Sequence, residues 1–219
     1  MRINSLIALV KKDVRTELRQ QQNLTGIFLY ALSTIFIIYL ATGRPAADQW
    51  NALFWITQVF IVVNAVIKSF VGEAKGRMLY YYSTVHPLEY LYSKMLLNVV
   101  YMILLSLISL ACFLLFLGNP LQNTGLFVLI TLVGGFGLSL LFTMLSAIAS
   151  KARQQASLVA VLGLPVMVPQ LILLVRLSKA GMGEVFNEDG VLKIFGLLTG
   201  LDFLIIIMAS ILFPFLWKD

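Results

Sequence analysis

The sequence predicts an all-α integral membrane protein with six transmembrane helices, preceded by an amphipathic helix at the membrane interface. Two observations favour this class. Hydrophobic residues make up 60% of the 219 positions and charged residues only 12%, whereas about 25% of an average soluble domain is charged. The apolar residues also form nearly uncharged runs of about 20, the length that a helix needs to cross a bilayer. We expect one membrane domain over residues 1–219.

Residues 1–23 are predicted to form an amphipathic helix that lies in the membrane interface. Apolar residues recur every four positions along one side: Leu6, Val10, Val14 and Leu18. Basic residues project from the opposite side, where anionic lipid headgroups would attract them: Lys12, Arg15 and Arg19. Asp13 and Glu17 fall at the edge of the apolar stripe. Lipid does not favour acidic residues there, so a protein neighbour is the better explanation.

Six spans are predicted, at residues 24–42, 50–71, 95–117, 124–149, 155–176 and 194–217. The uncharged interval from Met95 to Ser150 is too long for one span, and a turn at Gly118-Asn119-Pro120 divides it. Pro165 and Pro169 are expected to bend the fifth span. The fourth span contains Gly134-Gly135-Phe136-Gly137, where small residues favour close helix packing over a dinucleotide site. Residues 177–193 are predicted to be a mixed polar loop.

The distribution of lysine and arginine predicts the direction of insertion, because cytoplasmic loops are enriched in both. With the N-terminus inside, twelve of the 16 basic residues fall in cytoplasmic segments. The other four fall in outer segments: Arg44, Arg176, Lys179 and Lys193. Both termini are therefore predicted to be cytoplasmic. The net charge of +6 comes from short clusters between apolar runs, a pattern that fits membrane topology and not a nucleic-acid partner.

The longest predicted cytoplasmic connection follows the second span, over residues 72–92. It combines charged residues with a dense aromatic cluster: Glu73, Gly76, Arg77, Leu79, Tyr80, Tyr81, Tyr82 and Pro87. Aromatic side chains beside arginine are typical of the core of a protein–protein interface. Tyrosine is equally typical of the headgroup level of a membrane. The tyrosines alone leave both interpretations open.

These features together resemble an ABC-2 type transporter permease. The resemblance lies in the amphipathic entry helix, the six spans, and a Glu-x-x-Gly loop followed by a proline and a lysine. Those four residues are Glu73, Gly76, Pro87 and Lys94. Within the superfamily, the chain is most similar to the heme exporter protein B (CcmB) family, the membrane subunit of the cytochrome c maturation ABC transporter. Three later segments support the similarity: 145–149 before Lys151, 161–165 with Pro169, and 176–178.

The resemblance implies an ABC-2 type permease fold, a homodimer of permease subunits and a separate cytoplasmic ATPase subunit. The 72–92 loop would contain a coupling helix that docks on that ATPase. Glu73 and Gly76 would open the helix, and Arg77, Leu79 and Tyr80–Tyr82 would supply its docking surface. The implied role is haem export or delivery for c-type cytochromes, together with other haem-handling subunits of the bacterial cytoplasmic (inner) membrane.

Motifs for catalysis and cofactor binding are missing from the sequence. It contains no Gly-x-x-x-x-Gly-Lys-Ser/Thr phosphate loop, so ATP hydrolysis is expected in a partner chain and this subunit is expected to be non-catalytic. His86 is the single histidine, which argues against a serine–histidine hydrolase or a multi-histidine metal site. Trp50, Trp55 and Trp217 do not form the tryptophan-rich motif of haem-handling partners. By analogy, another subunit would hold most of the haem, and no cofactor is expected on this chain.

Asp202 is the one acidic residue well inside a predicted span, and intramembrane ionisable residues are often functional. It lies about two turns into the sixth span, so Arg176 at the outer end of the fifth span is its expected partner. A structural ion pair or a protonated acid is favoured over a role in transport. Two other functions stay open for the chain as a whole: an ABC-2 permease for a drug, lipid or polysaccharide, and a non-transporting membrane scaffold.

Overall fold

The computed structural model describes residues 3–19, 21–71, 85–149, 155–183 and 188–218. Every regular element in these ranges is an α-helix. In chain order, the helices within the described ranges are α1 (Ile3–Arg19), α2 (Gln21–Thr42), α3 (Ala47–Val71), α4 (Pro87–Phe116), α5 (Thr124–Ala149), α6 (Gln155–Gly181) and α7 (Glu188–Lys218). The predicted all-α class is confirmed.

Five of the described helices are long and apolar enough to cross a membrane, namely α2, α3, α4, α5 and α7. The chain is therefore a multi-pass membrane protein. Helix α6 has 27 residues and coincides with the predicted fifth span, but it is not among those five. The sixth crossing thus stays a prediction. Helix α6 continues through Pro165 and Pro169, and both prolines lie on its exposed side.

Helix α4 begins at Pro87, well before residue 95, where the hydropathy pattern places the third span. Proline suits the first helical position, because its φ angle is preset and its missing N–H is not needed there. The amides of Glu89 and Tyr90 donate to the His86 carbonyl at 3.0 and 3.2 Å. With 30 residues, α4 is about 45 Å long, whereas the hydrocarbon core is about 30 Å thick. Its charged first turns therefore have room outside the hydrocarbon.

The predicted turn between α4 and α5 is confirmed. Gly118 has a φ of +88°, a left-handed conformation that glycine adopts without steric cost. The Trp50 indole N–H donates to the Gly118 carbonyl at 3.2 Å. The Trp50 ring also packs on Phe54 and edge-on against Phe113 and Phe127. A buried aromatic cluster thus holds α3, α4 and α5 together at this end of the bundle, which we call the turn end.

The predicted polar loop at residues 177–193 is shorter in the structure, because α6 runs to Gly181 and α7 begins at Glu188. Two contacts with α3 stabilise the last turns of α6. The Trp55 indole N–H donates to Ser178 Oγ at 2.7 Å, and Lys179 Nζ lies 3.0 Å from Asp48 Oδ1. The hydropathy pattern places the end of α6 too early, because Ser178 and Lys179 are polar but bond to side chains of α3 and so remain part of the helix.

Helix α5 lies at the centre of the bundle and contacts α3, α4, α6 and α7. Glycines on α5 make room for side chains of these neighbours. A methyl group at Gly134 would overlap the ring of Trp55, and one at Gly137 would overlap the side chains of Gln170 and Asp202. The prediction that this glycine-rich segment serves close helix packing is confirmed.

Polar side chains also join the helices around α5. At Gly135, an added methyl carbon would lie 3.0 Å from Ser106 Oγ of α4. That hydroxyl donates to Gln58 Oε1 of α3 at 3.0 Å. Asn98 of α4 donates to Thr143 Oγ1 of α5, also at 3.0 Å. Such interhelical hydrogen bonds satisfy polar groups that neither lipid nor water reaches.

We expect Gly134→Ala to destabilise the protein by about 2 kcal/mol, because overpacking a filled interface forces its side chains or backbone to shift. Trp55 cannot retreat easily, since its indole N–H is bonded to Ser178. The matched control is Gly26→Ala on α2, where an added methyl group meets nothing within 4 Å. The control is expected to stay within about 0.5 kcal/mol of the parent protein. The midpoint of thermal unfolding in detergent measures both, and equal midpoints would contradict the packing account.

Candidate functional site

Most of the predicted coupling segment lies outside the described residues: Glu73, Gly76, Arg77, Leu79, Tyr80, Tyr81 and Tyr82. Pro87 is described, and it is the first residue of α4. The structure therefore shows where this segment leads into the helix bundle. The informative region is the first two turns of α4, together with the helices that hold them.

Two oppositely charged side chains are buried between α1 and α4. Lys94 Nζ lies 3.1 Å from Asp13 Oδ2, and the two side chains are only 5% and 7% exposed. Lys12 Nζ lies 2.7 Å from the other carboxyl oxygen, Oδ1. A buried charge without its partner is costly, whereas a well-placed pair offsets much of that cost. The pair therefore fixes the position of α1 along α4.

This ion pair explains which face α1 turns toward the bundle. Leu9 and Asp13, one turn apart, are buried, whereas Ile7 and Val14 are exposed. The predicted apolar stripe is thus only partly covered by protein, and its remainder is available to lipid. The prediction that Asp13 has a protein neighbour is confirmed, and that neighbour is Lys94.

The basic residues assigned to the polar side of α1 differ in their surroundings. Lys12 is half-buried and pairs with Asp13, so it does not project freely toward headgroups. Arg15 is exposed. Arg19 is the last residue of α1, and its side chain, like that of Glu17, lies outside the described part of the chain. The interfacial position of α1 stays a prediction.

An aromatic cluster continues from Lys94 to α7. The Tyr90 ring centroid lies 5.1 Å from that of Trp217 and 6.2 Å from that of Phe213. Lys94 Nζ lies 5.6 Å from the centroid of the Tyr90 ring, within the range of cation–π attraction. We call Asp13, Tyr90, Lys94, Phe213 and Trp217 the α4 junction. It joins α1, α4 and α7.

Two residues of this region, Glu89 and Tyr90, were not singled out from the sequence. Glu89 is buried in the first turn of α4, where a carboxylate interacts favourably with the positive end of the helix dipole. The sequence could have indicated Tyr90. Proline at position 87 favours a helix start, and the four-residue spacing then places Tyr90 and Lys94 on one face of that helix.

Asp202 lies away from the α4 junction, in the middle of α7. Its carboxyl group is buried, and Oδ1 accepts a hydrogen bond from Gln170 Nε2 of α6 at 3.2 Å. Arg176 is exposed, and no ion pair joins it to Asp202 in the part of the chain that the structure describes. The expected ion pair between Asp202 and Arg176 is therefore wrong, and Gln170 is the partner of Asp202 instead. Gln170 lies at about the same depth in the bundle as Asp202, whereas Arg176 lies near the end of α6 at Gly181.

The residues considered for haem contact do not converge. His86 is exposed, just before the first turn of α4. Trp50 and Trp55 are fully buried, and Trp217 belongs to the α4 junction. Among the described residues, no group of three or more His, Cys, Asp or Glu side chains is arranged to hold a metal ion.

We expect Lys94→Met to destabilise the protein by about 3 kcal/mol, since removing one partner leaves the other charge buried. This is the lower end of the usual range, because Lys12 still faces the Asp13 carboxyl group. Adding Asp13→Leu to Lys94→Met is expected to recover at least half of the loss, because the carboxylate that Lys94 neutralised is then removed as well. Thermal unfolding in detergent measures each variant.

The control for this prediction is Lys193→Met, which removes the charge of an exposed lysine on α7 and is expected to change stability by no more than about 0.5 kcal/mol. A double variant less stable than Lys94→Met alone would show that the ion pair does not fix α1 to α4.

Comparison with known proteins places the chain in a family. A family model described as CcmB protein matches residues 4–215. The match starts in the first turn of α1 and ends within the last turn of α7, so it includes Asp202 and every residue of the α4 junction except Trp217. No curated protein matches the chain. Since the matched range covers nearly every residue, the chain belongs to the CcmB family, heme exporter protein B.

Proposed function

We propose that the chain couples ATP hydrolysis by a separate ATPase subunit to haem handling during the biogenesis of c-type cytochromes. The coarser part of this function follows from the family, because CcmB membership implies a haem-export permease of an ABC transporter in cytochrome c maturation. The finer part is the coupling itself. The observation that carries it is the buried Asp13–Lys94 ion pair of the α4 junction.

The α4 junction would transmit motion between the coupling segment and the bundle. Residues 72–86 connect α3 to α4, so a displacement of this segment by an ATPase would reach Pro87 and the first turns of α4. The ion pair holds those turns to α1, and the aromatic rings of Tyr90, Phe213 and Trp217 hold them to α7. Packed elements of this kind shift together and not one at a time. The proposed moving unit is therefore α1, α4 and α7.

The proposed ATPase contacts are the residues that the family resemblance assigns to the coupling segment: Glu73, Gly76, Arg77, Leu79 and Tyr80–Tyr82, with Pro87 at its exit. Two permease chains and two ATPase subunits would form the complex, with both termini in the cytoplasm and the helices in the bacterial inner membrane. The positive-inside distribution of twelve basic residues against four supports this orientation.

We also propose that other membrane subunits hold the haem while this chain supplies the motion. The placement of the tryptophans supports this division, because Trp50 and Trp55 are enclosed in the aromatic cluster of the turn end. His86 lies next to the coupling segment, outside the described spans. Within the ranges that the structure describes, neither arrangement presents an aromatic surface with a histidine ligand beside it.

Charge reversal in the coupling segment is expected to release the ATPase. With the double variant Glu73→Lys/Arg77→Glu, we expect at least about a tenfold loss of ATPase recovered with the tagged chain, because unmatched charges at an interface oppose binding. The measurement is affinity purification from membranes that contain both subunits, followed by quantitative immunoblotting.

The matched control swaps a described ion pair at the turn end, as Asp48→Lys/Lys179→Asp, because the pair can re-form there. It is expected to retain the ATPase. If the unaltered chain recovers no ATPase, the coupling function is wrong. If the control loses the ATPase equally, the docking site does not lie at residues 73–82.

A further inference from the structure

Asp202 of α7 and Gln170 of α6 form a buried polar pair inside the bundle. The two residues are 5% and 2% exposed, and Gln170 Nε2 donates to Asp202 Oδ1 at 3.2 Å. Both side chains occupy the space of the side chain that Gly137 lacks, because a methyl group there would overlap each of them. The pair therefore joins α6 to α7 directly over α5.

The Gln170 amide has an acceptor that lacks a donor. Its carbonyl oxygen, Oε1, is buried and has no hydrogen-bond partner in the part of the chain that the structure describes. Leaving such an atom unpaired is costly, so buried polar atoms normally have a partner. The Asp202 carboxyl group already contacts this amide. It can supply the missing donor only as a protonated acid, because an ionised carboxylate has acceptors alone.

We propose that Asp202 and Gln170 form a proton-binding site, in which the bound proton makes Asp202 a neutral acid that donates to Gln170 Oε1. A carboxylic acid and a primary amide can exchange two hydrogen bonds, one in each direction. The bond from Gln170 Nε2 to Asp202 is one of them, and the proton supplies the other. The bound proton thus holds α6 to α7.

The surroundings of Asp202 favour the neutral acid over the carboxylate. Helix α5 has no titratable side chain. On α6, Arg176 is exposed and Lys179 pairs with Asp48 at the turn end. On α7 itself, Lys193 is exposed and lies more than two turns before Asp202. Among the residues that the structure describes on these three helices, none is a cation placed to neutralise an ionised Asp202.

Helix α4 also packs on α7 without placing a charge at Asp202. Tyr92 Oη lies 2.8 Å from Ser210 Oγ, which marks the side of α4 that faces α7. Tyr101 and Cys112 lie about half a helical turn round from Tyr92, on the other side of α4. The remaining titratable groups of α4 lie in its first two turns, at the α4 junction: Glu89, Tyr90 and Lys94.

Proton binding is linked to the packing of the helices. Asp202 lies near the middle of the Gly190–Trp217 span, and an unpaired carboxylate in apolar surroundings takes up a proton instead of staying charged. Release of the proton would leave Gln170 Oε1 without a donor and an anion beside it. We therefore expect proton release to weaken the contact between α6 and α7.

A cleft of about 300 Å³ between α5 and α7 gives access to this acid. Asp202 and Thr199 are its polar lining residues, and the others are apolar. Two of the apolar residues, Phe136 and Phe203, are exposed on the surface of the bundle. The cleft therefore opens toward lipid, from which a small apolar reagent can reach Asp202.

Dicyclohexylcarbodiimide tests for the proton in native membranes that contain the full chain. This apolar reagent reacts with protonated carboxylic acids. The acid proton moves to one nitrogen, the carboxyl oxygen adds to the central carbon, and the adduct rearranges to a stable N-acylurea with no atom lost. We expect this adduct at Asp202 at neutral pH, located by mass spectrometry of peptides from the purified chain. Labelling is expected to decline as the pH is raised, because the ionised carboxylate does not react.

Asp48 is the internal control for the labelling. Its side chain is 75% exposed, and an aspartate in contact with water is ionised at neutral pH. We expect at least about tenfold less adduct at Asp48 than at Asp202.

Two substitutions test the hydrogen bonds. Asp202→Asn introduces an amide of the same shape that also donates and accepts, so the midpoint of thermal unfolding in detergent is expected to stay within about 2 °C of the parent. Asp202→Leu leaves the Gln170 amide unpaired and is expected to lower the midpoint by about 4 °C or more. As the pH is raised, the parent is expected to lose stability relative to Asp202→Asn, because only the parent has a proton to release from this site.

Three outcomes would overturn the proposal. They are no adduct at Asp202 at neutral pH, labelling that increases as the pH is raised, and an Asp202→Asn midpoint as low as that of Asp202→Leu. If Asp202→Leu does not accumulate, the labelling and the comparison of the parent with Asp202→Asn across pH carry the test.

This inference does not rest on ATPase coupling. Asp202 lies at mid-span, whereas the proposed ATPase contacts lie before the start of α4. Asp202→Asn is expected to leave ATPase recovery unchanged, so the failure of one proposal is distinguishable from the failure of the other.

Discussion

The close approach of four helices to α5 is the constraint on which the rest of the structure depends. Side chains from α3, α6 and α7 occupy the positions where Gly134 and Gly137 have no side chain of their own. In a membrane there is no hydrophobic force between helices, because lipid is as apolar as the helix surface. Contact must therefore come from tight packing and from interhelical hydrogen bonds. The glycine-rich segment provides the first, and the bonds among Gln58, Ser106 and their neighbours provide the second.

The two ends of the bundle are held by different kinds of contact. At the turn end, stacked aromatic rings and short hydrogen-bonded connections fix the helices where the chain reverses. At the other end, the α4 junction uses one buried ion pair and one aromatic cluster, and each links α4 to a single partner helix. A junction with few, specific contacts can change its arrangement as a unit. That property suits the end of the bundle into which the proposed coupling segment leads.

Hydropathy and spacing were sufficient for the helix class, for five of the spans and for the glycine-rich packing segment. They were not sufficient for the start of α4, because Glu89 and Lys94 count as polar in any hydropathy profile although both are buried. The partner of Asp202 also required the structure. Sequence gives the depth of Arg176 and Gln170 only approximately, and it does not give the rotation of α6 that points Gln170 toward α7. Buried polar pairs between helices depend on that rotation, so sequence reasoning found the residues but not their partners.

The position of Asp202 has a consequence for how the chain enters the bilayer. An aspartate at the centre of a membrane helix raises the free energy of insertion by roughly 2.5–3.5 kcal/mol, and each surrounding leucine, isoleucine or phenylalanine lowers it by only about 0.3–0.6 kcal/mol. Helix α7 follows α5 and α6 in the chain. During synthesis, Gly137 and Gln170 are therefore made before Asp202, whose carboxyl group packs against Gly137 and accepts a hydrogen bond from Gln170. Because of this helix order, Asp202, the residue that opposes insertion most, reaches the membrane only after the helices that contact its carboxyl group have been synthesised.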